Sequence, residues 1–406
     1  MTTVSRAARF AARTNHLRAS TIREMLKVTQ QPDVISFGGG LPAPKLFPTE
    51  AIARCAQEVM ELYGPIALQY SVTEGIPELR SWVAERLTRR VGRVFEGEQI
   101  LIVNGSQQGL DLIGKVLLDP GDHVILERPS YLGAIQAFDA YQARYLTVET
   151  DDEGIVPEAL ERLLAGADAL PKFLYVVPNF QNPTGRTLAA GRREAIVRIC
   201  ERFGLPIVED DPYGELRFEG SDLAPLSAYS KNGDVIYCGT GSKIVAPGLR
   251  VAWLAVEDHE LREKIVLAKQ GADLQPATFT QYVFHRYVRD ERQLAEHIER
   301  VKATYRARRD VMVEMVREHL PSETHFITPQ GGMFLWASVP GIDTAALLRV
   351  SAEQRVVFVP GVNFYPERDE HDAMRLNFSN APEEKIRIGV ERLGQAVTSM
   401  RDAALR

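Results

Sequence analysis

Lys243 lies in a loop whose composition favours a reactive amine. The loop reads Gly-Thr-Gly-Ser-Lys-Ile-Val-Ala-Pro-Gly-Leu-Arg over residues 239–250, and a second cation, Arg250, closes it. Partial burial and a like charge both disfavour the ammonium form of lysine, so both favour an amine that can form a Schiff base with an aldehyde. Thr240, Ser242 and Arg250 supply donors suited to a phosphate. The loop predicts a ligand with an aldehyde and a phosphate; an exposed loop lysine is the common alternative.

Two strands and a helix upstream of this loop place polar groups at one edge of a sheet. Residues 173–177 form a short apolar run of β-formers, residues 188–203 have apolar side chains at helical spacing, and residues 205–210 form a second strand with an acidic end. Ligands of open parallel sheets bind beyond the carboxyl ends of the strands, which is where Asn182 and Asp210 fall.

These polar groups are suitable hydrogen-bond partners for a pyridine ring that carries a phenolic oxygen. Asp210 is the candidate partner of a protonated ring nitrogen, and Asn182 and Tyr213 can donate to a phenolic oxygen. Asp211 is the competing carboxylate, because neighbouring residues of a strand end point to opposite faces and only one of the two should meet the ring. A turn asparagine and a surface tyrosine are the structural alternatives for the other two residues. Together with the Lys243 loop, these residues predict pyridoxal 5'-phosphate (PLP).

An earlier strand and helix add further candidate ligands. Residues 100–103 are β-like, and Ser106 follows a turn as the expected N-cap of a helix. Helix N-termini bind anions, so the Ser106 hydroxyl and the Gln107 backbone N–H are candidate phosphate ligands, with simple capping as the alternative. Tyr131, after a strand at residues 123–126, could stack on a flat ring or pack in the core.

The ordered segments resemble the fold type I PLP-dependent class I/II aminotransferases, in the branch of 2-aminoadipate aminotransferase and kynurenine aminotransferase II. The resemblance runs from about Ser20 to the last helix, and its most specific segments are residues 38–42, 69–79, 179–185, 209–213 and 242–250. It implies an α/β fold with a large doubly wound, mostly parallel sheet domain and a smaller α+β domain. The implied domains are residues 1–45 as an arm and part of the small domain, 46–295 as the PLP-binding domain and 296–406 as the small domain. The charge and apolar pattern predicts a long helix over roughly residues 291–319 that leads into the small domain, with strands at residues 331–336, 356–359 and 374–378.

The resemblance also implies a role for each matching residue. Lys243 is the expected Schiff-base lysine, Asp210 the partner of the ring nitrogen, and Tyr131 the stacking aromatic. Asn182 and Tyr213 are expected to bind the phenolic oxygen. The residues expected to bind the phosphate are Ser106, Gln107, Thr240, Ser242, Arg250 and, from the neighbouring subunit of a homodimer with shared sites, Tyr70. The residues expected to bind substrate are Arg375 for the α-carboxylate, assisted by Gly39 and close to Asn182, and Arg23 for the side chain.

Two glycines depart from the family pattern. Gly241 stands where relatives often have an aromatic residue, and Gly214 where many have a second tyrosine or a larger residue. We expect both glycines to remove bulk near the pocket, and thereby to affect the size of the pocket and the identity of the amino donor.

Composition excludes several other classes of protein. The chain has 406 residues, is 45% apolar and 25% charged, and has a formal net charge of −6, so it has no basic field for nucleic acid or an anionic membrane. The three cysteines lack metal or disulfide spacing, no histidine has metal spacing, and no apolar run approaches the roughly 18 residues of a membrane helix. We expect a cytoplasmic protein without a metal site. The arginine-rich N-terminus could be an arm over the active site or a cleaved transit peptide.

The predicted activity is transfer of an amino group between an L-amino acid and a 2-oxo acid such as 2-oxoglutarate. The amino donor expected from the resemblance is 2-aminoadipate, an aromatic or a branched-chain amino acid, and the sequence does not choose among them. A lyase or decarboxylase on the same scaffold and a non-enzymatic, regulator-like PLP-binding domain are the alternatives.

Overall fold

A seven-stranded sheet forms the centre of the protein. The computed structural model describes residues 10–11, 13–14 and 33–404 of the chain. The strand order across the sheet is β2 (Ile100–Val103), β10 (Ala252–Ala255), β9 (Val235–Thr240), β8 (Ile207–Asp210), β7 (Phe173–Val176), β3 (His123–Glu127) and β4 (Arg144–Val148). β10 is antiparallel to both of its neighbours, and the other neighbouring pairs are parallel. The predicted α/β class with a mostly parallel sheet is therefore confirmed.

Both faces of this sheet are buried, which explains why its strands are continuous apolar runs. Phe173 and Tyr175 pack in the core on one face, whereas Leu174 and Val176 pack in the core on the other. This alternation follows from the two-residue repeat of a strand. The helices of this part of the chain are α1 (Thr49–Ala67), α2 (Pro77–Val91), α3 (Ser106–Leu117), α4 (Leu132–Asp139), α5 (Pro157–Ala165), α6 (Ala190–Phe203), α7 (His259–Asp273) and α8 (Thr278–Val288); a short ribbon of β5 (Thr150–Asp151) and β6 (Gly154–Ile155) follows β4.

A long helix leads into a second, smaller sheet. The helix, α9 (Glu291–His319), has the limits that the charge and apolar pattern predicts. Its buried residues pack against the last helix, α11 (Glu383–Ala404). The smaller sheet is antiparallel, in the order β11 (His325–Phe326), β12 (Phe334–Ser338), β15 (Ala373–Asn377) and β14 (Val359–Pro360), and α10 (Thr344–Glu353) lies between β12 and β14 in the chain.

The N-terminal segment joins this C-terminal region through a pair of short strands. β1 (Ile35–Ser36) pairs in parallel with β13 (Val356–Val357). Residues 356–359, which the sequence predicts as one strand, are therefore divided between two sheets, because β13 pairs with β1 and the next residues pair with β15. The strand predicted from residue 331 begins only at Phe334, since Gly332 has φ +72°, which is incompatible with an extended strand.

None of the described helices combines the length and apolar character needed to cross a membrane.

Candidate active site

One cavity lies beyond the carboxyl ends of strands β7, β8 and β9, where the N-terminus of α3 also points. Its volume is about 290 Å³. Eleven of the fourteen predicted site residues line it, namely Lys243, Ser106, Gln107, Tyr131, Asn182, Asp210, Tyr213, Thr240, Ser242, Arg250 and Arg375. Residues that are distant in sequence thus meet at the edge of the sheet at which α/β proteins bind ligands.

Lys243 is the amine of the cavity. Its Nζ donates to the Gly40 carbonyl at 3.0 Å. Burial, together with the nearby positive charges of Arg375 and Arg250, lowers the pKa of Lys243 to about 8, against the opposing effect of Asp210. On the order of a tenth of this amine is therefore unprotonated at pH 7, far more than of an exposed lysine, and the unprotonated form is the one that attacks a carbonyl carbon.

Asp210 presents one free carboxylate oxygen. Its Oδ2 accepts a hydrogen bond from the Tyr175 hydroxyl at 2.7 Å, whereas its Oδ1 is buried and has no hydrogen-bond partner among the described residues. Burial raises the pKa of Asp210 to about 7, against the opposing effects of the Tyr175 hydrogen bond and the Lys243 charge. An unpartnered buried carboxylate oxygen is costly unless a ligand donates to it.

Asp211 lies outside the cavity, in a different environment. Arg90 Nη2 donates to its carboxylate at 2.7 Å and Asn179 Nδ2 donates at 2.8 Å. Burial by itself raises the pKa of Asp211, but Arg90 and Asn179 outweigh burial and hold it below its usual value. The alternation at the end of β8 thus places Asp210 in the cavity and Asp211 in an ion pair.

Arg375 is a buried cation without a carboxylate partner in the described part of the chain. Its Nη1 donates to Asn182 Oδ1 at 2.7 Å and its Nη2 to the Gly38 carbonyl at 2.6 Å, while its Nε is unpartnered. The guanidinium lies 4.4 Å from the ring centre of Phe334 and 5.1 Å from that of Phe364. Burial lowers its pKa to about 10. A buried arginine with only neutral partners favours an incoming anion.

Asn182 and Tyr213 lie between Arg375 and Asp210. Asn182 Nδ2 is 3.5 Å from the Tyr213 hydroxyl oxygen. Burial raises the pKa of Tyr213 well above its usual range, so its hydroxyl stays protonated and can donate. The two side chains therefore present an amide and a hydroxyl to the same part of the cavity.

The opposite end of the cavity suits an anion. Thr240 Oγ1 donates to Ser242 Oγ at 2.9 Å and accepts from the Ser242 backbone N–H at 3.1 Å. Arg250 reaches across from the loop and donates to the Asn104 carbonyl at 3.2 Å. These hydroxyls, this guanidinium and the N-terminus of α3 form a set of donors of the kind that binds phosphate.

The N-terminus of α3 differs from its predicted form. Gly105, not Ser106, is the N-cap, and no side chain caps the helix at that position. Gly105 has φ +82°, and a Cβ there would collide with the Arg250 guanidinium. Glycine at position 105 therefore allows Arg250 to approach the helix. Ser106 is the first helical residue, and it lines the cavity.

Tyr131 and Gln107 form the wall beside this helix. A Cβ at Gly133 would collide with the Tyr131 ring, so the ring packs closely against the start of α4. The Gln107 Nε2 donates to the Gly133 carbonyl at 2.7 Å, so one of its side-chain N–H groups is bonded within the protein. The backbone N–H of Gln107 is the group expected to meet an anion.

Three predicted site residues do not line the cavity of this single chain. Tyr70 is 77% exposed on the surface, Gly39 is buried beside the cavity-lining Gly40, and Arg23 lies outside the described residues. Gly40, whose carbonyl accepts from Lys243, is not among the predicted site residues, although its position in the run Gly38-Gly-Gly40 was an available signal. The cavity wall also contains residues whose types give no chemical signal in the sequence, namely Leu41, Val177, Pro212 and Pro247.

The expected loss of bulk at Gly241 and Gly214 is wrong. A Cβ at Gly241 would collide with the Phe284 ring, which fills the space beside that glycine. A Cβ at Gly214 would lie 2.6 Å from the Asp211 carboxylate oxygens. Neither glycine lines the cavity, because the side chains of other elements occupy both positions.

The fold and the site define a class: an α/β enzyme in which a lysine of lowered pKa, a buried aspartate and an anion-binding helix end share one cavity. Residues 32–393 match the family described as "Aminotransferase class I and II". The chain is 42% identical to aromatic-amino-acid aminotransferase 1 of Thermococcus litoralis, over 96% of this chain and 94% of that protein. It is also 42% identical to 2-aminoadipate transaminase of Thermus thermophilus, over 96% of this chain and 97% of that protein.

A solved structure is similar over the same length. LysN, the α-aminoadipate aminotransferase of Thermus thermophilus, in complex with N-(5'-phosphopyridoxyl)-L-leucine, superposes with a TM-score of 0.91 at 40% identity, covering 98% of this chain and all of that one. The chain therefore belongs to the class I and II aminotransferase family. It is a PLP-dependent aminotransferase of fold type I, and the lyase and regulator-like alternatives are not favoured.

Proposed function

We propose that this aminotransferase moves an amino group between 2-oxoglutarate and an L-amino acid of the 2-aminoadipate, aromatic or branched-chain type. The observation that carries the proposal is one cavity that holds the Lys243 amine, the Asp210 Oδ1 and the Arg375 guanidinium; among the described residues, Oδ1 has no hydrogen-bond partner and Arg375 has no carboxylate partner. The range of donors is supported by the names of the relatives and by the leucine adduct in the similar structure.

The polar side chains away from Arg375 would hold the cofactor. The Lys243 amine would hold its aldehyde carbon and would also move the proton of the substrate α-carbon. Asp210 Oδ1 would pair with the ring nitrogen, and PLP when bound would supply a protonated ring that withdraws electrons from the reacting carbon. Asn182 and Tyr213 would donate to the phenolic oxygen, and Tyr131 would pack on the ring. The proposed phosphate ligands are Ser106, the backbone N–H of Gln107, Thr240, Ser242 and Arg250.

The substrate site is proposed at the Arg375 end of the cavity. Arg375 binds the α-carboxylate, with Asn182 beside it and Gly39 as an assisting backbone donor. The cations that line the described cavity are Lys243, Arg250 and Arg375, and each has a role elsewhere. For the distal carboxylate of a dicarboxylic substrate we therefore retain Arg23, which lies outside the described residues.

A panel of amino donors tests the function. Purified protein with PLP and 2-oxoglutarate is incubated with 2-aminoadipate, phenylalanine, tyrosine or leucine, and glutamate is assayed. We expect glutamate from at least one donor, in an amount equal to the 2-oxo acid formed. Release of carbon dioxide or ammonia without glutamate would show a decarboxylase or a lyase instead.

Arg375→Lys should weaken productive binding of every amino and oxo acid alike. A hydrogen-bonded contact to a charged group contributes roughly 1.5 to 3 kcal/mol, so we expect kcat/KM to fall about 10- to 100-fold for all donors. Steady-state kinetics on the panel measures this loss, and the affinity for PLP should be unchanged. A loss confined to dicarboxylic substrates would contradict the α-carboxylate role.

Covalent uptake of PLP by the cofactor-free protein should increase with pH through a midpoint near 8. The sign follows from Lys243, whose pKa lies below that of a free lysine, so the reactive neutral amine accumulates about two pH units earlier than on an exposed lysine. Borohydride trapping at a series of pH values, followed by intact-mass measurement, gives the midpoint. A midpoint above 10 would mean that the cavity does not activate this amine.

The protein is proposed to be a homodimer with shared sites. The end of α1 and the following segment expose a run of apolar side chains, namely Met60, Leu62, Ile66, Leu68, Tyr70 and Val72. Exposed apolar patches of this kind mark protein interfaces. Thr278 Oγ1 donates to the Gln69 carbonyl at 3.1 Å and the Ser71 N–H donates to the Gln275 side chain, so contacts on both sides of Tyr70 hold this segment. This supports the proposal that Tyr70 reaches the phosphate of a neighbouring subunit.

Mixed subunits test the dimer. Tyr70→Phe and Lys243→Ala subunits, each impaired alone, should regain activity when mixed, because one of the two sites in a crossed dimer has neither change. Absence of recovery, or a fully active monomer in sedimentation, would contradict shared sites.

Two further proposals concern the whole chain. The division into residues 1–45, 46–295 and 296–406 is supported by the two separate sheets and by the pairing of β1 with β13. A cytoplasmic location is supported by the three cysteines, Cys55, Cys200 and Cys238, which are buried free thiols.

A further inference from the structure

Tyr175 contacts the candidate partner of the cofactor ring from beneath the cavity. It lies on β7, next to β8, and its register partner is Val208. Asp210 is two residues beyond Val208, so its side chain is on the same face of the sheet as that of Tyr175. The Tyr175 hydroxyl reaches Asp210 Oδ2 at 2.7 Å.

The position of this hydroxyl is fixed by aromatic packing. Tyr175 is fully buried, and its ring meets the ring of Phe138 at a centroid distance of 6.0 Å and an angle of 76°. Phe138 in turn packs edge-on against Phe173, two residues before Tyr175 on the same face. Because a ring in such a core has no space to rotate away, the hydroxyl cannot leave the carboxylate without repacking this face.

The direction of the hydrogen bond is also fixed. Burial raises the pKa of Tyr175 well above its usual range, and the Asp210 charge and hydrogen bond raise it further, so the phenol keeps its proton. An ionised carboxylate can only accept. Tyr175 is therefore the donor, and it stabilises the anionic form of Asp210 over the protonated form.

Other groups around Asp210 act on its charge without bonding to it. The neighbouring charge of Asp211 raises the pKa of Asp210, and that of Lys243 from the cavity lowers it. The remaining titratable side chains near Asp210 are Tyr131, Tyr213 and, on β9, Cys238. Within the described residues, Tyr175 is the side chain that hydrogen-bonds the Asp210 carboxylate.

We propose that Tyr175 is a positioning residue for the reaction: it occupies Oδ2 of Asp210, leaves Oδ1 for the ring nitrogen of the cofactor, and keeps the proton shared by these two groups on the nitrogen. The inference depends on the proposed role of Asp210. Without the Tyr175 hydroxyl, the carboxylate loses its donor and becomes more basic. The shared proton then moves towards Asp210, and the neutral ring withdraws electrons less strongly.

Tyr175→Phe removes one hydroxyl and keeps the ring that packs on Phe138. The matched control is Tyr237→Phe, because Tyr237 is a buried tyrosine whose hydroxyl donates at 3.1 Å to Oδ2 of Asp211, outside the cavity. Both variants lose a buried tyrosine hydroxyl that bonds one of two adjacent aspartates. Far-UV circular dichroism and thermal unfolding establish that each is folded.

The direct measurement is the ¹⁵N chemical shift of the pyridine nitrogen in holoenzyme reconstituted with ¹⁵N-labelled PLP. We expect a protonated nitrogen in the wild type and in Tyr237→Phe, and a shift towards the unprotonated value in Tyr175→Phe. In the same variant kcat should fall about tenfold or more, with little change in KM for the amino donor, because the effect acts through ring charge and not through binding.

The possible results separate the two proposals. A wild-type ring nitrogen without a proton would overturn the role of Asp210 itself. A protonated nitrogen in the wild type that stays protonated in Tyr175→Phe, with an unchanged kcat, would overturn the role of Tyr175 alone. Equal shifts in Tyr175→Phe and Tyr237→Phe would assign the effect to general loosening of the sheet edge, which also overturns the proposal.

Discussion

Lys243→Ala should abolish transamination and leave PLP bound without a covalent bond. Lys243 is the lysine that lines the described cavity, and its neighbours Arg375 and Arg250 help to keep its amine reactive. Borohydride treatment of the wild type should fix the cofactor to the peptide that contains Lys243, whereas the variant should yield no labelled peptide. Activity should be at the detection limit, because the same amine is proposed to move the substrate proton.

A second buried lysine supplies the control. Lys269 is buried in α7, where its Nζ pairs with Asp273 at 2.6 Å, and it does not line the cavity. Lys269→Met should therefore keep the Lys243 label and most of the activity. It should lower the unfolding temperature, because Asp273 loses its charged partner, although it keeps hydrogen bonds from Asn104 and Gln108. Near wild-type turnover in Lys243→Ala would refute the assignment of the reactive amine.

Asp210→Asn and Asp211→Asn should fail in different ways. Asn at position 210 keeps the size of the side chain but removes the charge that holds a proton on the ring nitrogen, so we expect kcat to fall about 100- to 1000-fold with the fold intact. Asn at position 211 removes the partner of Arg90 in a pair whose aspartate side chain is fully buried. Breaking a buried pair costs about 3 to 5 kcal/mol, and the partial exposure of Arg90 places the expected loss of stability below that range.

Two measurements on each variant distinguish these outcomes. Half-reaction kinetics with a single amino donor reports the chemistry, and thermal or denaturant unfolding reports stability. We expect slow kinetics and a small change in stability for Asp210→Asn, and the reverse pattern for Asp211→Asn. Slow chemistry in Asp211→Asn, together with normal rates in Asp210→Asn, would make Asp211 the partner of the ring nitrogen instead of Asp210.

The environment of Asp210 also predicts how the cofactor-free protein responds to pH. Because burial raises the pKa of Asp210 to about 7, its folded-state pKa lies above that of the unfolded chain. The stability of the cofactor-free protein should therefore fall as the pH rises from about 4, the ordinary pKa of aspartate, to about 7, and the loss is complete above that pH. A bound pyridinium would offset this loss, so the folded protein should be more stable with its cofactor than without it.

The sequence by itself determined the class of fold, the family and most of the residues that meet in the cavity. The ends of strands can be predicted from the sequence because apolar runs stop at polar residues. Parallel strands have their carboxyl ends at the same edge of the sheet, so the polar residues that follow them come together. Lys243, Asn182 and Asp210 could therefore be predicted to converge, and the structure places all three in the cavity wall. The long helix α9 was predicted with its observed limits because its apolar and charged residues repeat over many turns.

The tertiary structure alone decided what fills the space around these residues. Phe284 occupies the volume beside Gly241, the Asp211 carboxylate lies against Gly214, and Arg250 requires a glycine N-cap at Gly105. The hydrogen bond from Tyr175 to Asp210 likewise depends on the register of two neighbouring strands. These contacts join residues that are mostly far apart in the chain, and local propensity and spacing carry no information about which distant side chain packs against which backbone. Packing therefore set the shape of the cavity, whereas the chemistry of its wall was already present in the order of the residues.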